Sequence, residues 1–437
     1  MNSFKDRKLV VAFSGAFKKQ SAFGVPLATV DIDTRHPQTT KVYPGRQVSR
    51  EETRDCTGEY IVKEEITSRL TRFAFGFDAD ARLLAGWLAY AMGAAAAPAG
   101  TQTAEVWSIA VTGTPTLGYL TVNHTFNGLT DSVDIPYNAT NAEIKRLLES
   151  LRTIKPGNIA SVTGTLLAGP IVITLGGKLA AGDIAQPTTV DTNLTGATTS
   201  VSTTTAGTSK TAAIARTTLD QTPLFSIIVG FEGDTTNPDK YKDMIVNSVT
   251  IRGAIKAKVT VELELLGSAD LGEVIGYVMP ACVNQDVIYT KDCRIEIDGI
   301  FEAANLREFT YNFNNNAFTD DDPFPYDDID IVRLEHGDRT SEFTLGIYGS
   351  KGDVTFNKAE AEMKVPVNMH IGPPVSKIVV NAPKTHLKLG DDPITFAGEA
   401  LRSAFNVTGT PHYDSLTPGT PDNVIYYGPE TGTLLGV

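Results

Sequence analysis

Cysteine is scarce in this 437-residue sequence: Cys56, Cys282 and Cys293 lie far apart and form no CxxC pair. An odd, scattered set builds neither a disulfide framework nor a zinc site. It predicts reduced thiols in a protein assembled in a reducing cytosol. Positive charge is short as well, with 38 Lys+Arg against 51 Asp+Glu and a net charge of -13. A surface that grips phosphates needs the opposite balance, so sequence-specific nucleic-acid binding is not expected. A surface that nucleic acid slides past remains compatible with that charge. The apolar run LLAGWLAYAMGAAAA at 83–97 is rich in Ala, stops at Pro98, and falls short of the roughly 20 residues of a membrane helix; no membrane partner is expected. The start, MNSFKDRKLVVAFSGAF, has the basic-then-apolar look of a signal peptide. Lys18 and Lys19 follow that run directly and no small-x-small cleavage site appears, which argues against one.

Catalytic signatures are also missing. No HExxH or GxSxG occurs. The stretch LGGKL (175–179) contains Gly-Lys, but Leu179 stands where a phosphate-binding loop needs Ser or Thr for magnesium, so it reads as a turn. The six histidines never fall at i, i+4 from one another. The acidic run DDDPFPYDDID (320–330) lacks EF-hand spacing and contains two prolines, so it reads as a solvated loop or an assembly surface. No catalytic residue, metal or cofactor is expected. A cell-wall hydrolase built on Asp320, Asp321 and Asp322 is the weakest reading, because no carboxylate pair sits on a recognisable scaffold.

The chain is rich in strand-like alternation. Residues 25–34 read as a strand, and the polar segment from His36 to Tyr60 as a long loop. In EEITSRLTRFAFGF, Leu70, Arg72, Ala74 and Gly76 alternate with Phe73, Phe75 and Phe77, which predicts a half-buried strand. Asp78 is the expected N-cap of a helix over 79–97, closed by Pro98 and Gly100. From 101 to 212 the composition turns rich in Thr, Gly and Ala. Strands are expected at AEVWSIAVTG, LGYLTVNHTF, DSVDIPY, NIASVTGTLL and PIVITLGG, and TTTAGTSKT reads as a linker. After 212 the pattern of the first hundred residues resumes: PLFSIIVGFEGD, and KDMIVNSVTIRG joined to KAKVTVELELLG by a turn at Gly253. From about 281 the order strand, loop, strand, helix, strand pair recurs through LREFTYNFNN, SEFTLGIYG, DVTFNKAEAEM and SKIVVNAPKTHLKL. The expected organisation is a discontinuous first domain (1–100 and 213–280), an insertion (101–212), and a second, similar domain with a C-terminal extension (281–437).

The clearest helix lies inside the insertion, in IPYNATNAEIKRLLESL (135–151). Thr140 and Glu143 make a capping box. Ile144, Leu147, Leu148 and Leu151 form one apolar stripe, and Pro156 and Gly157 stop the helix. Its polar face, with Lys145, Arg146, Glu149 and Arg152, holds no catalytic set. It is expected to be the core helix of a small appended module.

Residues 230–268 resemble the tail tube proteins of long-tailed bacteriophages, through Pro223, Leu224, Gly230, Tyr241, Asn247, Ser248, Val249 and Ile251. The insertion is similar to a small module of phage virion proteins, through IPYNAT (135–140), GNIASVTG (157–164, one residue longer than the module's pattern) and ITLGGKLA (173–180). The resemblance implies a mainly β (α+β) fold: two tandem tail-tube-type β-sandwich or barrel domains, each with a flanking helix, plus a small inserted α+β domain exposed on the surface. It implies a non-enzymatic subunit that stacks as trimeric, pseudo-hexameric rings around an acidic lumen. Its partners would be other copies of itself, a tape measure protein and DNA in the lumen, and tail terminator and distal tail proteins at the ends. It would be assembled in the host bacterial cytoplasm and end in the virion tail. The ring-stacking loops would be His36–Tyr60, with Tyr43, Arg46, Arg50, Glu51 and Asp55, and Asn314–Ile329, with Asn314, Asp320, Asp321, Asp322, Asp327 and Asp328. Another virion role, as a capsid decoration or a host-glycan adhesin with the insertion as its binding part, is the alternative.

Overall fold

The computed structural model describes residues 9–35, 38, 43–54, 61–95, 97–126, 128–216, 223–231, 238–282, 285–302, 305–318, 335–349, 353–390, 395–397, 402–412 and 422–429. Strand accounts for 55% and helix for 11%, so the fold is mainly β. It comprises two large antiparallel sheets, a small ladder between Ala317–Phe318 and Glu335–His336, and three short helices.

The strand Asp239–Ala254 joins the two layers of the body. Its first residues pair with Phe225–Phe231 and Ala269–Glu273, while its later residues pair with Thr260–Gly267 and Leu306–Asn314. The change of partners falls at Asp243, whose φ is 54°. Aspartate is one of the few residues that tolerate this left-handed region. Asp243 is fully buried, and its carboxylate accepts from Gln20 Nε2 (2.8 Å), Gly24 N (2.8 Å) and Ser268 Oγ (2.5 Å). Its own N–H donates to Gln20 Oε1 at 2.9 Å. A buried carboxylate is tolerable only with such a set of donors.

Helix α1 (Ala81–Met92) is enclosed between these layers, and every residue from Leu83 to Met92 is buried. A helix apolar all round has to be covered on all sides. Trp87 meets Phe17, Phe75 and Phe225 edge-on, and Tyr90 stacks on Phe225 with ring centroids 4.5 Å apart. The expected cap, Asp78, is instead the last residue of the strand Ile61–Asp78, held by pairing with Thr260. Asp80 caps the helix, accepting from the N–H groups of Arg82 and Leu83. The helix also ends before Pro98, because Gly93 takes a φ of 103° and its N–H closes on Ala89 O. Gly93–Ala95 then pair with Ile214–Arg216. The turn expected at Gly253 lies beyond Ala254, with Lys256 at φ 62°. Gly253 is instead needed because a Cβ there would strike the ring of Phe309.

The stretches 213–280 and 281–437 share one sheet. Ser248–Ala254 pair residue by residue with Asn314–Glu308, and Thr211–Ile214 with Tyr427–Val424. One apolar cluster runs from Val11 to Tyr426. A buried polar strut crosses the same seam. Arg216 Nη2 lies 2.5 Å from Asp422 Oδ1, Asp422 Oδ2 accepts from the Tyr311 hydroxyl at 2.7 Å, and the Arg216 guanidinium sits 4.9 Å from the centre of the Phe313 ring. The order of a strand followed directly by a helix occurs twice, as Ile61–Asp78 then α1 and as Thr340–Tyr348 then α3 (Val354–Glu360).

Strands of the insertion form the second sheet. Its spine is Val106–Phe126, 21 residues long, read from sequence as two strands. The spine's first part pairs with Ile171–Leu175 and Leu194–Thr205, its last part with Leu129–Pro136 and Thr188–Val190. Between these parts, Gly113 and Gly118 take positive φ where the partner backbone leaves no room for a Cβ. Helix α2 (Asn141–Glu149) carries the capping box, with Thr140 Oγ1 accepting from Glu143 N and the Glu143 carboxylate accepting from Thr140 N. Ile144, Leu148 and Leu151 are buried in a separate core around Trp107, with Leu147 packed at its margin. The segment read as a linker is ordered. Thr205 ends a strand, and Thr208 and Thr211 bridge back to Thr103 and Ala99, making a two-stranded stalk.

Replacing Asp243 by Ala should lower stability by about 3 kcal/mol or more, because two buried donors, Gln20 Nε2 and Ser268 Oγ, and the half-buried Gly24 N–H lose their acceptor. Asp243→Asn keeps a residue that tolerates positive φ but turns one acceptor into a donor, and should cost less. Urea denaturation checks both, as a shift in midpoint at unchanged slope.

Candidate functional site

No group of three or more His, Cys, Asp or Glu suited to a metal ion exists among the described residues. None of the helices is long and apolar enough to cross a membrane, searched over the same residues, which says nothing of strands. The histidines do not assemble a triad among the described residues. His124 is buried in the module core beside Trp107, and His370 lies near Arg294. His386 and His412, distant in sequence, meet with ring centroids 5.7 Å apart because their strands are neighbours. The features that stand out are edges and patches, the parts from which assembly surfaces are made.

The segment expected as the first stacking loop is largely strand. Tyr43–Arg54 pairs with Ile61–Ala74 throughout, so Tyr43, Arg46, Arg50 and Glu51 all belong to one strand of a long antiparallel pair. Its sequence is polar enough to read as a loop, but backbone pairing needs no apolar residues. On its other side, the strand Ile61–Asp78 meets Thr260–Gly267 only from Thr71 onward. Among the described residues, the part from Ile61 to Leu70 has Tyr43–Arg54 as its sole partner. This two-stranded arm extends about 30 Å past the sheet. Asp55 lies outside the described residues.

The second expected loop leaves the same end of the same sheet. Register carries one row across it, from Tyr43 to Ala74, Glu264, Ser248, Asn314 and Thr340. Beyond this row, in one direction, the hairpin arm continues on one strand and residues 315 onward continue on another. Asn314 ends its strand, and its Oδ1 accepts from Asn316 N at 2.8 Å. The ladder of Ala317–Phe318 with Glu335–His336 then launches the acidic run. Asp320, Asp321, Asp322, Asp327 and Asp328 themselves lie outside the described residues.

Sequence reading missed an exposed apolar group on the other layer. Val30, Ile275 and Val278 are 83%, 91% and 68% exposed. Their two segments are tied together, since Tyr277 Oη donates to Ile32 O at 2.5 Å and Arg35 N to Ala281 O. Adjoining exposed aliphatic residues of this kind mark contact surfaces. Alternation could not reveal them, because they sit in irregular segments.

These features define a class: a mainly β protein with an extended pairing edge and an exposed apolar patch. Neither a family model nor a curated protein matches this chain.

The module provides a pH test of its own folding. Burial pushes the His124 imidazole down to about 4, only partly offset by its hydrogen bond with Ala185 O. Its unfolded value is the ordinary 6.5, so the unfolded chain binds more protons between these limits. Module stability should be full above pH 6.5 and fall by about 3 kcal/mol as the pH drops to 4. Melting curves against pH check this. His124→Gln, which can still donate to Ala185 O but does not titrate, should flatten that window.

Proposed function

We propose that the chain is a structural subunit of a bacteriophage tail tube, polymerising as stacked rings around an acidic lumen that conducts DNA. The observation that carries this reading is the shared exit of two elements, the hairpin arm and the segment after Asn314, from one end of a continuous sheet. Two elements that leave the sheet at one end can contact the next ring. A long edge strand left open invites pairing with another subunit, and closed rings remove such edges. The patch at Val30, Ile275 and Val278 is a candidate for lateral contact between subunits. The net charge of -13 suits a wall that repels DNA phosphates. With two sheet-sharing units per chain, three chains would give six quasi-equivalent positions. Tape measure protein would fill the lumen before DNA, and terminator and distal tail proteins would meet the two tube ends.

A second reading is a capsid decoration or host-glycan adhesin. The separate core of the insertion and its two-stranded stalk favour it. Electron microscopy of purified protein separates the two. Hollow tubes or trimeric rings are expected, and strictly monomeric protein at high concentration, with no polymer on nucleation, would overturn the tube reading. Excising residues 101–210, whose flanks Ala99 and Thr211 are already bridged, should leave polymerisation intact. An adhesin would lose glycan binding instead.

The arm gives a sharper test. Replacing 48–69 by an Asn-Gly turn between the paired Gln47 and Leu70 should abolish tube formation. The melting temperature should stay within a few degrees, because among the described residues the excised part pairs only with itself.

A further inference from the structure

A cavity of about 240 Å³ lies where the insertion meets the second unit, and its wall is strongly basic in an otherwise acidic chain. The module side is the turn after α2, with Arg152, Thr153 and Lys155, and the turn at Lys178. The body side contributes Lys291, Arg294, His370 and Lys377. Phe126, Leu129, Pro373 and Pro374 supply apolar wall.

Some of this charge is already matched. Lys178 Nζ donates to Asp292 Oδ2 at 2.6 Å, a tie between module and body, and Arg152 pairs with Asp131. Arg294 lies beside the Phe301 ring at 5.0 Å and near His370 Nδ1 at 3.5 Å, and Glu296 is 3.8 Å from His370 Nε2. Among the described residues no carboxylate pairs with Lys155, Lys291 or Lys377. Lys377 rests against Tyr427, with Nζ 4.7 Å from the ring centre.

Three further observations concern residues that line the cavity. The Thr153 hydroxyl is buried and has no hydrogen-bond partner among the described residues. Unsatisfied buried groups of this kind are rare and call for a ligand or water. Lys155 holds φ 68°, a conformation that costs a long side chain about 1 kcal/mol and is usually left to Gly or Asn. Lys377 is pushed down to about 8 by burial and by Arg294, the mark of a cation short of counter-charge.

We propose that this junction cleft binds a small organic phosphate, its phosphate held by Lys155, Arg294 and Lys377. A planar guanidinium with two ammonium groups suits a phosphate dianion better than a monovalent carboxylate. The volume is that of about eight waters, room for a phosphate and a body of a few carbons against Phe126 and the two prolines. Bound there, the ligand touches both module and body and clamps one to the other. The site does not depend on the tail-tube reading.

The test uses the full chain with inorganic phosphate and glycerol 2-phosphate as probes, against acetate at matched ionic strength, by titration calorimetry and thermal melting. One saturable phosphate site per chain and a raised melting temperature are expected, with glycerol 2-phosphate at least as tight as phosphate. Lys377→Met should weaken binding about tenfold. Lys155→Gly should weaken binding while raising the melting temperature of the unliganded protein, because it relieves the left-handed backbone. A purely structural lysine would not move the two readouts in opposite directions. Equal phosphate affinity in wild type, Lys377→Met and Lys155→Gly would overturn the site. So would acetate binding as tightly as phosphate, or a single-stranded oligonucleotide binding while both small phosphates fail.

Discussion

A buried aspartate at a corner determines how the two layers of this protein meet. The strand Asp239–Ala254 cannot serve both layers unless the chain bends near Asp243, and the bend takes a backbone conformation that most residues resist. The carboxylate that makes the bend tolerable also anchors the N-terminal segment, through Gln20 and Gly24, and the end of the next strand, through Ser268. Two separate stretches of chain thus converge on one side chain of a third. The cavity between the layers then has the width that α1 fills with Trp87 and Tyr90.

The same strand links this corner to the seam with the C-terminal half. Beyond Asp243 it pairs on both sides, with Thr260–Gly267 and with Leu306–Asn314. Because antiparallel register is fixed by which face is buried, Val249 and Ile251 facing the core lock the row that runs through Ser248 and Asn314. That lock makes the exit of the arm and the exit of the acidic segment a property of one rigid sheet. Arg216 and Asp422 reinforce it at the far strand pair, where breaking either partner leaves a charge without its mate in a dry interior.

How much of this was legible in the sequence depends on how local each cause is. The capping box of Thr140 and Glu143 and the stripe of Ile144, Leu148 and Leu151 lie within one helix, and pattern alone placed them. The alternation of Phe73, Phe75 and Phe77 did the same for a strand with one buried face. Tyr43–Arg54 escaped because its partner is backbone and its composition is polar. The local pattern makes Asp78 the expected cap, and only pairing with Thr260 assigns it to the strand. The stalk at Thr103 and Thr208 joins residues a whole module apart. The junction cavity was beyond reach for the same reason, since Lys155 and Lys178 of the module lie more than a hundred residues before Lys291 and Lys377 of the body.

Charge placement shows why the module is not freely appended. A chain with a large acidic excess gains by interspersing its cations, yet Arg294, Lys377, Lys178 and Lys155 collect at one junction. Mutual repulsion there opposes docking, and one ion pair, Lys178 with Asp292, together with the backbone bond from Val375 N to Lys178 O, opposes that repulsion. The stalk fixes the module at one end only, so the balance at this junction sets how firmly the other end is held. An anion placed between the two surfaces reverses the sign of that contribution. Module orientation on the body is therefore linked to anion occupancy, independently of what the rest of the sheet assembles with.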